Sequence, residues 1–126
     1  MKKKTIHPTE SELEILKVLW ARGASSVREV YEALGGQGGY TTVLKFLQIM
    51  AEKQLVRRDE SKRAHVYTAA VEEAAVKRAA VKGLASKLFG GSGLRLAMHA
   101  IEDESVSDDE LTEIRALLEA REGKKK

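Results

Sequence analysis

A chain of 126 residues, 43% hydrophobic and 33% charged, is long enough for one ordinary domain, or for a small domain with an oligomerisation element attached. It has no cysteine, which excludes a disulfide scaffold, thiolate metal sites and cysteine nucleophiles, and no apolar run near the roughly 20 residues of a membrane span. The net charge of +3 is unevenly spread: residues 1–68 hold 12 Lys/Arg against 8 Asp/Glu, residues 69–126 hold 10 against 11, so only the front suits a polyanion.

The opening MKKKTIHPTE is basic but has no apolar stretch behind it, so no signal peptide and no membrane insertion are expected, and the expected location is the cytoplasm. Thr9 and Glu12 then form a capping box, Thr-x-x-Glu, at the head of a first helix. Leu13, Leu16 and Trp20, with Ile15 and Leu19 beside them, give that helix a broad apolar stripe, and Gly23 ends it. A second box, Ser26-Val-Arg-Glu29, starts a short helix with Val27, Val30, Tyr31 and Leu34 at helical spacing. Gly35-Gly36-Gln37-Gly38-Gly39 stops it and supplies a flexible turn. A third helix, roughly Thr41–Lys53, repeats the spacing with Val43, Phe46, Leu47 and Met50. The three together read as a helix-turn-helix unit.

After the third helix the period changes. Leu55-Val-Arg-Arg-Asp and His65-Val-Tyr-Thr-Ala are predicted strands, and Glu60-Ser-Lys-Arg63 is the polar turn between them. A hairpin directly after three helices is a wing. From about Val71 the pattern is helical again, with Val76, Ala79, Ala80, Gly83, Leu84 and Leu88 on one face, then Gly90-Gly91-Ser92-Gly93 as a break. Leu94, Ala97, Met98 and Ile101 line the next helix, and Ser107-Asp-Asp-Glu110 caps a last one carrying Leu111, Ile114 and Leu118. Helices with such narrow stripes bury little alone, so this half is expected to dimerise through Leu84, Leu88, Leu94, Met98, Ile101, Leu111, Ile114 and Leu118. The expected fold is mainly α with a small β-hairpin wing. A winged helix-turn-helix domain spans residues 1–70 and a helical dimerisation domain residues 71–126.

On a helical wheel of the third helix, Val43, Phe46, Leu47 and Met50 cluster on one side at about 100° per residue. Thr41, Lys45, Gln48 and Glu52 lie opposite, with Thr42 on a flank. Hydroxyls, a lysine and an amide are the groups that reach base edges and phosphates in a major groove. The plain alternative is a solvated helix face; the glycine turn, the wing and the basic front weigh against it. Leu44 and Ile49 also fall outside the apolar cluster, and Leu44 either meets a thymine methyl or packs on the turn. Arg57, Arg58, Lys62 and Arg63 concentrate four positive charges in the hairpin, suited to a phosphate backbone or minor groove, or else to guarding an edge strand against aggregation. His7, His65 and His99 lie in separate segments with no HExxH spacing, so no catalytic constellation, metal site or cofactor is expected. The acidic runs Glu102-Asp103-Glu104 and Asp108-Asp109-Glu110 could bind a cation, but read rather as a solvated linker and as charges at a helix start.

Three stretches together resemble the penicillinase-repressor (BlaI/MecI) family: Thr9-Glu-Ser-Glu-Leu-Glu-Ile-Leu, Tyr40-Thr-Thr-Val-Leu-Lys-Phe-Leu-Gln-Ile-Met-Ala-Glu-Lys53, and Arg57-Arg-Asp-Glu-Ser-Lys-Arg-Ala-His-Val-Tyr67. The likeness continues through Leu88-Phe-Gly-Gly-Ser and the final Ser107–Leu118 stretch, and so covers nearly the whole chain. It implies a dimeric transcriptional repressor that binds a dyad-symmetric operator in double-stranded DNA and performs no catalysis. Thr41, Thr42, Lys45 and Gln48 would read the major groove, Ser26 and Arg28 would meet phosphate, and Lys62, Arg63 and His65 would be wing contacts. It also implies derepression through a membrane-bound zinc metalloprotease sensor, with a cut between Asn and Phe in the helix after the Gly-Gly turn. The matching positions here are His99-Ala100, so that cut site is not reproduced. Nor is the cysteine cluster of the copper-responsive branch present, and Gln54 stands where the family usually has Gly. The alternative from another class is a winged-helix protein–protein interaction module.

Overall fold

The computed structural model describes residues 7–36, 38–61 and 63–125. Helix α1 (Glu10–Arg22) begins at Thr9, whose hydroxyl accepts the Glu12 N–H at 3.2 Å while the Glu12 carboxylate accepts the Thr9 N–H at 2.9 Å. The same reciprocal box joins Ser26 and Glu29 at the head of α2 (Val27–Ala33), and Ser107 and Glu110 at the head of α6 (Asp108–Lys125). Helix α2 closes in a Schellman turn: the Gly36 N–H reaches the Tyr31 carbonyl and the Gly35 N–H the Glu32 carbonyl, both at 3.0 Å. Gly35 sits at φ 83°, where a side chain would be strained.

Helix α3 (Tyr40–Glu52) follows, then strands β2 (Val56–Asp59) and β3 (Val66–Ala69). They pair antiparallel with Arg57 opposite Thr68 and Arg58 opposite Tyr67. Leu55 and His65, expected inside the strands, lie just before them, so β2 begins at Val56 and β3 at Val66. The hairpin is also not the whole sheet. Ser25 and Ser26 form a short strand β1 (Ser25–Ser26) on the other side of β3, opposite Tyr67 and Val66, giving the order β1-β3-β2. Two serines offer neither strand propensity nor a run long enough to show a period, which is why the sequence hides this strand.

The core of this part is one cluster: Ile15, Leu16 and Leu19 from α1, Val27 and Val30 from α2, Val43, Leu47 and Met50 from α3, and Leu55, Val56 and Tyr67 around the sheet. Each such side chain contributes about 1.5–3 kcal/mol of apolar transfer. Trp20 adds a polar tie, its ring N–H donating to the Val71 carbonyl at 3.0 Å. The backbone is thereby fixed for the outward faces of α2, α3 and the wing.

Helices α4 (Glu73–Leu88) and α5 (Gly93–Asp103) precede α6, and the chain divides into two compact units, Met1–Val81 and Lys82–Lys126, within α4. In the second unit, Ala85 is buried and α5 buries no residue at all. Leu84, Leu88, Leu94, Met98, Ile101, Leu117 and Leu118 are exposed, and Leu111 and Ile114 are half-buried. The face expected along α4 is split: Val76 is buried, Ala79 and Gly83 are half-buried, and Ala80, Leu84 and Leu88 are open. The Phe89 and His99 rings meet at a tilt of 55°, 5.8 Å between centroids.

Candidate nucleic-acid interface

Burial on α3 follows the wheel. Val43, Leu47 and Met50 are enclosed, while Thr41, Thr42, Lys45, Gln48, Ile49 and Glu52 are exposed. Leu44 is half-buried against the core cluster and also lines a surface hollow, so the packing alternative describes much of its side chain. The residue before the helix, Gly39, has no side chain to cap the first N–H groups, unlike the starts of α1 and α2. Those donors and the positive end of the helix dipole therefore face outward uncompensated by a cap.

A hollow of about 470 Å³ is lined by Ser26, Val27, Arg28, Tyr40, Leu44, Arg63, Ala64, His65 and Tyr67. It brings together four of the residues singled out by sequence, Ser26, Arg28, Arg63 and His65, from two separate segments. Tyr40 completes it and was not among the expected contacts. Its ring meets the Tyr31 ring edge-on at 6.0 Å, and the Arg28 guanidinium lies over its face, 5.4 Å from the centroid. Only the fold reveals this, because residues 28 and 40 share no helix and no periodic pattern.

Other expected contacts lie apart from that hollow. Gln48 borders a second one of about 480 Å³ with Glu52, Arg58 and Glu60, beside the wing strand β2. Thr42 faces a third of about 420 Å³ with Ser11, Glu14 and Phe46, on the flank of α3 away from the wing. Lys62 lies outside the described residues. Of the wing cations, Arg58 is committed internally: its hydrogen bond to Tyr67, then its pairing with Glu60, raise its pKa above the ordinary guanidinium value. Arg57 and Arg63 are exposed. At the head of α2, the Ser26 N–H, followed by the nearby Arg22 charge, holds the Glu29 carboxyl below its ordinary pKa despite some desolvation.

Among the described residues, no group of His, Cys, Asp and Glu side chains is placed to hold a metal ion, and no helix is long and apolar enough to cross a membrane. The arrangement is a set of donors and cations on one framework.

The family model of the penicillinase repressor matches residues 8–120. The chain is 22% identical to the penicillinase repressor of Bacillus licheniformis over 126 residues, covering 98% of each chain. It is 24% identical to the methicillin resistance regulatory protein MecI of Staphylococcus aureus (strain N315) over 120 residues, 94% of this chain and 98% of that one. A similar solved structure is the monomeric form of Bacillus licheniformis BlaI in complex with the blaP half-operator, at 26% identity and a TM-score of 0.48, covering 59% of this chain and 92% of that one. With a family model spanning most of its length, the chain belongs to the penicillinase repressor family, which is a family of DNA-binding transcriptional repressors and not of enzymes.

Proposed function

We propose that the chain acts in the cytoplasm as a homodimer on a dyad-symmetric operator in double-stranded DNA. The winged-helix domain, residues 1–70, reads the operator, and the helical domain, residues 71–126, joins two copies. The observation that carries the reading is the hollow in which Ser26, Arg28, Arg63 and His65 converge beside the exposed N-terminal face of α3. Thr41, Lys45 and Gln48 meet base edges along the outward side of α3 and Thr42 from its flank, and Ser26, Arg28, Lys62, Arg63 and His65 meet phosphate and sugar.

The dimer is supported by the exposed apolar side chains of the second unit, Leu84, Leu88, Leu94, Met98, Ile101 and Leu118, with Leu111 and Ile114 half-buried beside them. So many exposed apolar side chains on so small a unit are what a partner copy would cover. Two copies also place two recognition helices on one face of the duplex, about 34 Å or a multiple apart. Relief of repression by proteolysis, through a membrane-bound metalloprotease sensor, is the accompanying reading for induction.

A salt titration of duplex binding tests the proposal. Arg28, Lys62 and Arg63 from two subunits give six phosphate contacts, so affinity should fall by about 10³-fold between roughly 50 and 200 mM salt. Flat or absent binding would replace the repressor reading with a protein-docking module. Footprinting upstream of the protein's own gene would then locate the operator.

A further inference from the structure

Arg28 is held in an unusual way for a surface cation. Its guanidinium carbon lies over the Tyr40 ring, 5.4 Å from the centroid, and Tyr40 is itself braced edge-on by Tyr31. Among the described residues, the carboxylate that pairs with Arg28 is Glu32, one helical turn along α2, at 4.0 Å with both side chains mostly exposed. A pair that long and that wet is weak and screened by salt. Arg58 differs: a carboxylate and a phenol hydroxyl occupy its donors.

The difference matters chemically. A carboxylate that orients an arginine also cancels its charge and takes up to two of its N–H groups. An aromatic face attracts the cation through its quadrupole and leaves its charge uncancelled by any anion. The in-plane N–H donors and the full positive charge then stay available to a second partner. Here that guanidinium lines the same hollow as Ser26, Arg63 and His65.

We infer that Tyr40 is a positioning residue of the DNA interface, whose ring seats the Arg28 guanidinium so that its N–H fork is presented to a backbone phosphate. The inference rests on the DNA-binding reading above. Tyr40 acts through Arg28 and need not itself touch the duplex. It also links the first residue of α3 to α2, so that phosphate contact and base reading share one rigid seat.

The test uses the full-length protein and a labelled mixed-sequence duplex, since phosphate contact is independent of sequence. Tyr40→Leu removes the π-face and should weaken binding about two- to five-fold, while Tyr40→Phe should stay within about two-fold of the parent. In an Arg28→Ala background, Tyr40→Leu should change affinity hardly at all, because its effect runs through the arginine. A merely structural tyrosine is separated by fluorination: phenylalanine at position 40 carrying more ring fluorines keeps its shape but loses its quadrupole. Affinity should fall stepwise with each fluorine. This series also replaces Tyr40→Leu if that variant folds poorly.

An undiminished Tyr40→Leu effect without Arg28, or a flat fluorine series, overturns the inference and leaves DNA binding standing. Parent protein that shows no salt-dependent duplex binding overturns both.

Discussion

The Glu12 carboxylate accepts hydrogen bonds from the Lys53 ammonium on both oxygens, each at 2.8 Å, and so ties the first turn of α1 to the last of α3. Glu12 is 3% exposed and Lys53 43%. The same carboxylate closes the capping box with Thr9. Burial pushes its pKa up, but the Lys53 hydrogen bond, the Thr9 N–H and the Lys53 charge outweigh that, and the pKa lies below its ordinary value. A depressed folded-state pKa means that the pair's stabilisation is complete above the unfolded pKa and lost as pH falls through the folded one.

Lys53→Met should therefore destabilise the protein at neutral pH. Loss of one partner of a fully buried pair costs about 3–5 kcal/mol, and water around the half-exposed lysine reduces that to about 1–3 kcal/mol. Urea unfolding should show the penalty shrinking as pH drops through the carboxylate range, because Glu12 then carries no charge in either protein. A penalty of constant size would show that the lysine acts through its methylene stem.

Gln54 supplies a second stability test. It is the one non-glycine with positive φ among the described residues, at 67°. It occupies the C′ position of a Schellman turn that ends α3: the Leu55 N–H reaches the Met50 carbonyl at 2.8 Å and the Gln54 N–H the Ala51 carbonyl at 3.1 Å. A left-handed L-residue costs about 1–2 kcal/mol, and glycine gives back part of the gain as extra entropy in the unfolded chain. Gln54→Gly should raise stability by about 0.5–1 kcal/mol, read as a higher urea midpoint with an unchanged slope.

These two positions show what the sequence reveals and what it hides. The capping boxes at Thr9, Ser26 and Ser107 are local, obey fixed spacing, and appear in the structure as read. The apolar faces of α1 and α3 follow in part: Ile15, Leu16, Leu19, Val43, Leu47 and Met50 are buried, while Leu13, Trp20 and Phe46 are half-buried. The Glu12–Lys53 pair spans 41 residues and the Arg28–Tyr40 contact joins two helices across a glycine turn, so no periodicity announces either. Strand β1 is hidden for another reason, being made by the pairing partner β3 rather than by its own two serines. In the second unit the apolar spacing located three helices but not which faces stay open, since a stripe looks the same whether its own chain or a second copy covers it.

Lys45 tests the recognition face. It is exposed on α3, on the same side as Thr41 and Gln48 and away from Val43 and Leu47. Lys45→Ala removes no buried contact, so the melting temperature should hold. Operator binding in a gel-shift series should weaken by at least about 1 kcal/mol. Equal affinity for the two proteins would take Lys45 out of the interface.

Leu88 tests the dimer without disturbing the single chain. It is 71% exposed, so Leu88→Asp adds no buried charge to an isolated copy. In a dimer that covers it, the aspartate would be stranded in apolar surroundings. Sedimentation should give a monomer with native helix content, and operator affinity should drop as the two half-sites stop acting together. A variant that stays dimeric would move the interface to the stripe of Leu94, Met98 and Ile101 on α5.

The last prediction concerns release from the operator, for which the family resemblance implies a cut between Asn and Phe. The corresponding bond here, His99–Ala100, lies inside α5, and the His99 ring rests on Phe89. A protease pocket shaped for phenylalanine loses most of its apolar burial on meeting alanine, about 1.5–3 kcal/mol, enough to change site preference tenfold or more. Cleavage also needs extended backbone, and unwinding α5 at His99 would break helix hydrogen bonds and the ring contact together. The backbone is already non-helical at Gly90–Ser92 and again over residues 105–107, where Glu104 ends α5 in an extended conformation. Exposed, non-helical chain is where nicking concentrates. If proteolysis releases this repressor, mass spectrometry of protein from induced cells should find termini in one of those two segments. A fragment ending at His99 would refute this and bring the chain under the same cleavage rule as its relatives.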